Sequence, residues 1–232
     1  MGSSRDRLIV ALDVSSAVQA LQIVGSLGES VSFYKVGMQL YTAEGPALVR
    51  ELIASGKKIF LDLKYHDIPN TVAAAVREAG TLGVSLLTVH AAGGSKMLRA
   101  AADAARESNP VMRLVAVTVL TSMDEEDLNE VGVAGNMEHQ VMSLAALALK
   151  SGCDGVVSSA REVRALRASL GNEFLVITPG VRPAGAAHGD QARVVTPAEA
   201  FAAGASHIVV GRPITAASNP PEEAERILQE IA

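Results

Sequence analysis

Eight short apolar runs, each followed by a stretch of helical spacing, limit what this chain can fold into. The runs cover residues 8–14, 33–37, 59–64, 85–90, 113–120, 155–159, 174–179 and 207–211. They carry almost nothing polar until their last residues, as strands buried on both faces of a parallel sheet do. The intervening segments read as helices. Val18, Leu21 and Val24 recur at helical spacing over 17–27, behind Ser15 or Ser16 as a cap, and further helices are predicted over 45–55, 70–80, 95–107 and 138–151. Thr196-Pro197-Ala198-Glu199 and Asn219-Pro220-Pro221-Glu222 each pair a capping residue with Pro at the first helical position and Glu three after the cap. No linker or low-complexity segment interrupts the alternation. Eight β/α units in 232 residues predict a single-domain (β/α)8 TIM barrel over 1–232, in the α/β class. The competing open, doubly wound sheet usually carries a Gly-rich loop after its first strand, where this chain has Asp13-Val14-Ser15.

Polar residues at the C-terminal ends of barrel strands meet at one mouth. Strand one offers Asp13, strand two Lys35, and strand three Asp62 and Lys64, which regular alternation would point the same way. Asp67 follows in a turn that Pro69 keeps from continuing as strand. One such group could be a solvated strand end with an incidental ion pair. Four ionisable residues on three successive strand ends are better read as a site, because burying charge is costly unless the charges pair. An ammonium among carboxylates is also placed to deliver a proton. His90, ending strand four, could serve chemistry or the core equally. Loops after strands seven and eight of such barrels often hold phosphate. Pro179-Gly180-Val181-Arg182 opens a loop rich in Gly and Ala that runs through Gln191, and Gly211-Arg212 follows strand eight. Gly lets backbone approach an oxyanion and guanidinium binds it bidentately, although Arg182 alone could be an ordinary surface arginine. A small-residue loop bearing Gln191 could close over a ligand.

Composition excludes several classes. A net charge of −5 gives no reason to expect nucleic acid or an anionic membrane as partner, so an anionic ligand must be held by a few placed cations and N–H groups. The single Cys153 forms no intrachain disulfide and lacks the neighbours of a zinc site; a buried, inert thiol in a reducing cytosol is expected. No run approaches the roughly 18 apolar residues of a membrane span. The stretch from Met1 to Asp6 lacks the apolar core of a signal peptide, and Asp6 stands where myristoylation wants Ser or Thr. A soluble, cytoplasmic protein is expected. The acidic stretch 123–127 reads as a solvated helix start without chemistry.

The order Asp62-x-Lys64-x-x-Asp67-Ile68-Pro69-Asn70-Thr71 resembles the signature of the orotidine 5'-monophosphate decarboxylase family. Ala11-Leu12-Asp13, Tyr34-Lys35-Val36-Gly37, Val117-Thr118-Val119-Leu120-Thr121-Ser122, Pro179-Gly180-Val181-Arg182 and Val210-Gly211-Arg212-Pro213 extend the resemblance over essentially the whole chain, closest to the bacterial branch. The resemblance implies cofactor-free and metal-free conversion of orotidine 5'-monophosphate to UMP, in pyrimidine biosynthesis, by a homodimeric (β/α)8 barrel. It implies a charged network of Lys35, Asp62, Lys64 and Asp67, with Asp67 and Thr71 of each subunit reaching the other's site. Lys64 would protonate C6, Asp13 would hold the ribose, and Thr121 would lie near the base, with Ser122 as an alternative. Arg182, Gln191, Gly211 and Arg212 would bind phosphate. Related magnesium-dependent barrels of the hexulose-phosphate synthase and keto-gulonate-phosphate decarboxylase group resemble the chain at Asp62-x-Lys64-x-x-Asp67, but the continuation Ile68-Pro69-Asn70-Thr71 argues against them. A catalytically silent nucleotide-binding barrel is the remaining alternative.

Overall fold

The computed structural model describes residues 4–183 and 195–231. Within them the apolar runs form β1 (Leu8–Ala11), β2 (Phe33–Gly37), β3 (Lys58–Tyr65), β4 (Leu86–His90), β5 (Arg113–Val117), β6 (Gly155–Val157), β7 (Leu175–Pro179) and β8 (His207–Val210). Each strand pairs in parallel with its sequence neighbours, and β8 returns to β1 through Leu8↔Ile208, Ile9↔Val209 and Val10↔Val210, closing the barrel. With helices between the strands this is a (β/α)8 TIM barrel, as the alternation predicts.

Period-two alternation divides the strand residues between two cores. Ile9, Ala11, Phe33, Phe60, Leu86, Val115, Ile177 and Val209 point inward and fill the barrel axis. Val10, Tyr34, Leu61, Leu87, Ala116, Val156, Val176 and Ile208 point outward beneath the helices. Both faces are therefore apolar, which is why the runs lack polar interruptions.

Local signals account for most helix ends. Ser16 accepts from the Gln19 N–H to start Ala17–Leu27, and Thr196 and Glu199 form a reciprocal capping box at Pro197–Ala203. The similar Asn219 pattern starts Pro220–Glu230 differently. No side-chain cap bond forms there, and Asn219 Nδ2 instead donates to Glu222 Oε2 at 2.9 Å. The helix predicted over 45–55 is the second half of Met38–Ala54, which bends at Gly45 (φ +65°) before Pro46. Its first turns follow β2 directly and carry no cap bond to announce them. The runs 8–14 and 113–120 yield shorter strands, because ladder pairing ends at Ala11↔Lys35 and Val117↔Val157 and the chain beyond turns into the mouth. Among the described residues no helix is long and apolar enough to cross a membrane.

Candidate active site

The charged residues meet at the mouth, but not by regular alternation. Pairing between β3 and β4 jumps from Leu61↔Leu87 to Tyr65↔Val89, so β3 carries two more residues than β4 across this interval. Such a bulge re-aims side chains at the rim of a barrel. Inside it Lys64 adopts φ +51°, the only positive φ of a non-glycine among the described residues. A lysine in the left-handed region is strained and persists only where its surroundings hold it. The Lys64 N–H donates to Thr88 Oγ1 at 2.9 Å, and its ammonium lies 2.9 Å from both Asp62 oxygens.

Lys35 extends this pair into a chain. Its Nζ lies 2.8 Å from Asp13 Oδ1 and 3.9 Å from Asp62 Oδ2. The Lys35 and Asp62 side chains are only 12% and 13% exposed, while Asp13 at 59% opens to solvent. Charges alternate along the chain of contacts: Asp13, Lys35, Asp62, Lys64. Gly37 makes room for the arrangement, since a Cβ there would come within 2.8 Å of Lys35 Nζ.

Two adjoining cavities open on this chain. One, about 140 Å³, is walled by Phe60, Val117, Val119, Leu120, Val157, Pro179 and Val209, with Lys35, Asp62, Lys64 and Thr121 supplying the polar groups. Thr121, not Ser122, lines it. The other, about 370 Å³, brings Arg182, Gly211 and Arg212 together with Asp13 and Lys35, and shares Lys35, Pro179 and Val209 with the first. Val181 bridges to Val195, and the Arg182 N–H donates to Val195 O at 3.1 Å, tying this segment of the wall. Gln191 lies outside the described residues. Together the cavities suit a flat apolar ring beside an ammonium, joined to an anionic group among guanidinium groups.

Asp67 and Thr71 do not join the cluster. Both are exposed, and Asp67 Oδ1 accepts from the N–H of the next residue, Ile68, at 2.6 Å. Ile68 is itself 66% exposed, so this turn presents an apolar side chain between polar ones on the outer surface. His90 stacks on His66, with ring centroids 5.3 Å apart and planes at 17°. Its Nδ1 accepts from the Ala92 N–H. Burial lowers its pKa below the ordinary histidine value, with His66 and Lys64 adding to the effect. His90 thus packs against His66 at the end of β4. Burial pushes the Cys153 thiol up to about 12, in keeping with an inert role. Among the described residues no group of three or more His, Cys, Asp or Glu is arranged to hold a metal ion. A larger groove of about 700 Å³ lies at the other end of the barrel, between Arg113, Asp154, Phe174 and Ser206, and meets none of the charged chain.

Thr88 is the residue at this site that sequence reasoning passes over. It sits within an apolar run, and its hydroxyl acquires a task only because β3 bulges opposite it.

The model of the orotidine 5'-phosphate decarboxylase / HUMPS family matches residues 6–227. The chain belongs to this family. Relatives named orotidine 5'-phosphate decarboxylase agree along nearly their full length. That of Methylobacterium sp. (strain 4-46) is 53% identical over 230 residues, covering 98% of this chain and 96% of the relative. That of Moorella thermoacetica is 51% identical over 234 residues, covering 98% and 93%. The crystal structure of orotidine 5'-phosphate decarboxylase from Lactobacillus acidophilus superposes with a TM-score of 0.88 at 43% identity, over 97% of this chain and 98% of that one. Within the orotidine 5'-phosphate decarboxylase / HUMPS family, the likeness therefore runs to proteins named for the decarboxylase.

Proposed function

We propose that this protein converts orotidine 5'-monophosphate to UMP without a cofactor, as a single barrel domain acting in pyrimidine biosynthesis. The observation that carries the reading is the chain Asp13–Lys35–Asp62–Lys64 opening on an apolar cavity that adjoins the arginine-lined one. The family and its similarly named relatives support it.

In this reading the phosphate lies between Arg182, Arg212 and the backbone at Gly211, with Gln191 a further phosphate ligand. Asp13 and Lys35 hold the ribose, and the base enters the apolar cavity beside Thr121. The substrate carboxylate then faces Asp62, with C6 beside the Lys64 ammonium. The C6–carboxylate bond breaks, carbon dioxide leaves, and the electron pair remains on C6. A proton passes from Lys64 Nζ to C6, giving UMP, and the neutral amine recovers its proton from water. A cation fixed beside C6 stabilises chiefly the state in which charge develops there, so it lowers the barrier more than it tightens substrate binding. Phosphate contacts remote from the reacting bond supply binding energy that holds the base in this pose.

The same reading makes the protein a cytoplasmic homodimer in which Asp67 and Thr71 of one subunit complete the site of the other. The exposed turn carrying Asp67, Ile68 and Thr71 supports this, because it offers surface to a second copy rather than to its own cluster.

The test follows the ultraviolet absorbance of orotidine 5'-monophosphate mixed with the protein in excess EDTA. A steady change to the spectrum of UMP is expected, and its loss in folded Lys64→Ala. Turnover only after magnesium is restored would move the assignment to the metal-dependent barrels. Near-normal turnover by Lys64→Ala would remove the proposed acid.

A further inference from the structure

The bulge in β3 leaves Lys64 with a backbone N–H that has no ladder partner on β4, since pairing resumes only at Tyr65↔Val89. Thr88, fully buried on β4, fills that gap with its side chain. Its Oγ1 accepts the Lys64 N–H at 2.9 Å and donates its single proton to Asp62 Oδ1 at 3.1 Å. One hydroxyl thus fixes the main chain beneath the lysine and the carboxylate facing it. Asp62 Oδ1 also accepts from Lys64 Nζ at 2.9 Å, so the three groups form a closed ring of contacts. The left-handed φ of +51° at Lys64 needs such an anchor.

We propose that Thr88 is a positioning residue, whose hydroxyl holds Lys64 in its left-handed conformation and turns Asp62 toward it. The inference rests on the decarboxylase reading for its kinetic consequence but not for its structural one. A small displacement of a reacting group costs far more in rate than in binding. Thr88→Val keeps the volume and the β-branch while removing the hydroxyl. It is expected to lower kcat for orotidine 5'-monophosphate about 10- to 100-fold, with affinity for UMP changed less than about threefold. Thr88→Ser retains the hydroxyl and is expected to return kcat to within about threefold of the parent. The proposal is overturned if Thr88→Val turns over within twofold of the parent, if Ser fails to restore what Val loses, or if UMP affinity falls as far as kcat.

Hydrogen exchange of the Lys64 amide in the unmodified protein supplies a measurement independent of any variant's folding. Exchange as slow as the neighbouring ladder amides supports the anchor, and exchange at the rate of an exposed loop overturns it. If the parent itself does not turn over orotidine 5'-monophosphate, the decarboxylase reading fails while the amide measurement still judges the anchor.

Discussion

Replacing Lys64 by Gly and by Ala should reverse the usual order of stability in a strand. Either variant removes the ammonium and its paired contact with Asp62, so that loss cancels between them. What differs is the backbone at φ +51°. Holding a residue with a Cβ in the left-handed region costs about 1–2 kcal/mol, which Gly escapes. Gly also frees the unfolded chain more, by about 0.5–1 kcal/mol, and this works against it. The balance predicts a Gly variant more stable than the Ala variant by about 0.5–1 kcal/mol, whereas at an ordinary strand position Gly is less stable by a similar amount. Urea unfolding followed by circular dichroism at pH 7 measures the difference, with protein concentration held equal because assembly shifts apparent stability. An Ala variant more stable than the Gly variant by 0.5 kcal/mol or more would refute the strained conformation, and with it the account of how Lys64 is aimed.

Arg212→Ala is predicted to weaken binding of UMP at least about tenfold, with little change for uridine, because guanidinium contacts reward the phosphate alone; calorimetric titration of both ligands checks this, and equal losses would contradict the assignment. Mixing inactive Asp67→Ala with inactive Lys64→Ala subunits should restore part of the activity if each site borrows Asp67 from the other subunit. No recovery after verified subunit exchange would indicate a self-contained site. His207, edge-on to Phe33 at 5.9 Å with Nδ1 buried and unbonded, has its pKa lowered to about 4 by burial, with Arg7 and Lys58 adding to the effect and Asp6 opposing it. The folded state resists protonation that the unfolded chain accepts. Stability should therefore be complete above pH 6.5 and fall toward pH 4, by at most about 1.4 kcal/mol per unit from this group. Urea midpoints across that window should fall less steeply in His207→Leu; equal slopes would absolve His207.

The barrel was legible because its strands are buried on both faces, and that condition writes itself as unbroken apolar runs ending in single charges. Asp13, Lys35, Asp62 and Lys64 could be gathered for the same reason, since closure of the barrel brings consecutive strand ends to one rim. The bulge could not be foreseen. Residues 62–64 read equally well as regular strand, and the extra residues of β3 show only against the register of β4. Thr88 inherits its importance from that mismatch, so its own neighbourhood carries no sign of it. That Thr121 rather than Ser122 lines the apolar cavity follows from the turn after β5, which the sequence does not orient. The first half of Met38–Ala54 went unseen because no cap marks its start and Gly45-Pro46 imitates a beginning.

The packed barrel axis also governs traffic. Phe33, Phe60, Leu86, Val115 and Ile177 pack the barrel axis between the charged rim and the far end, as a filled core rather than a pore. Among the described residues, the rim is therefore where the two adjoining cavities open. In the proposed reaction, carbon dioxide formed deep in the apolar cavity must leave past the sugar and phosphate, on the side where substrate entered. Any segment that shuts over the phosphate shuts over the gas as well, so escape of carbon dioxide and reopening of the mouth become linked events.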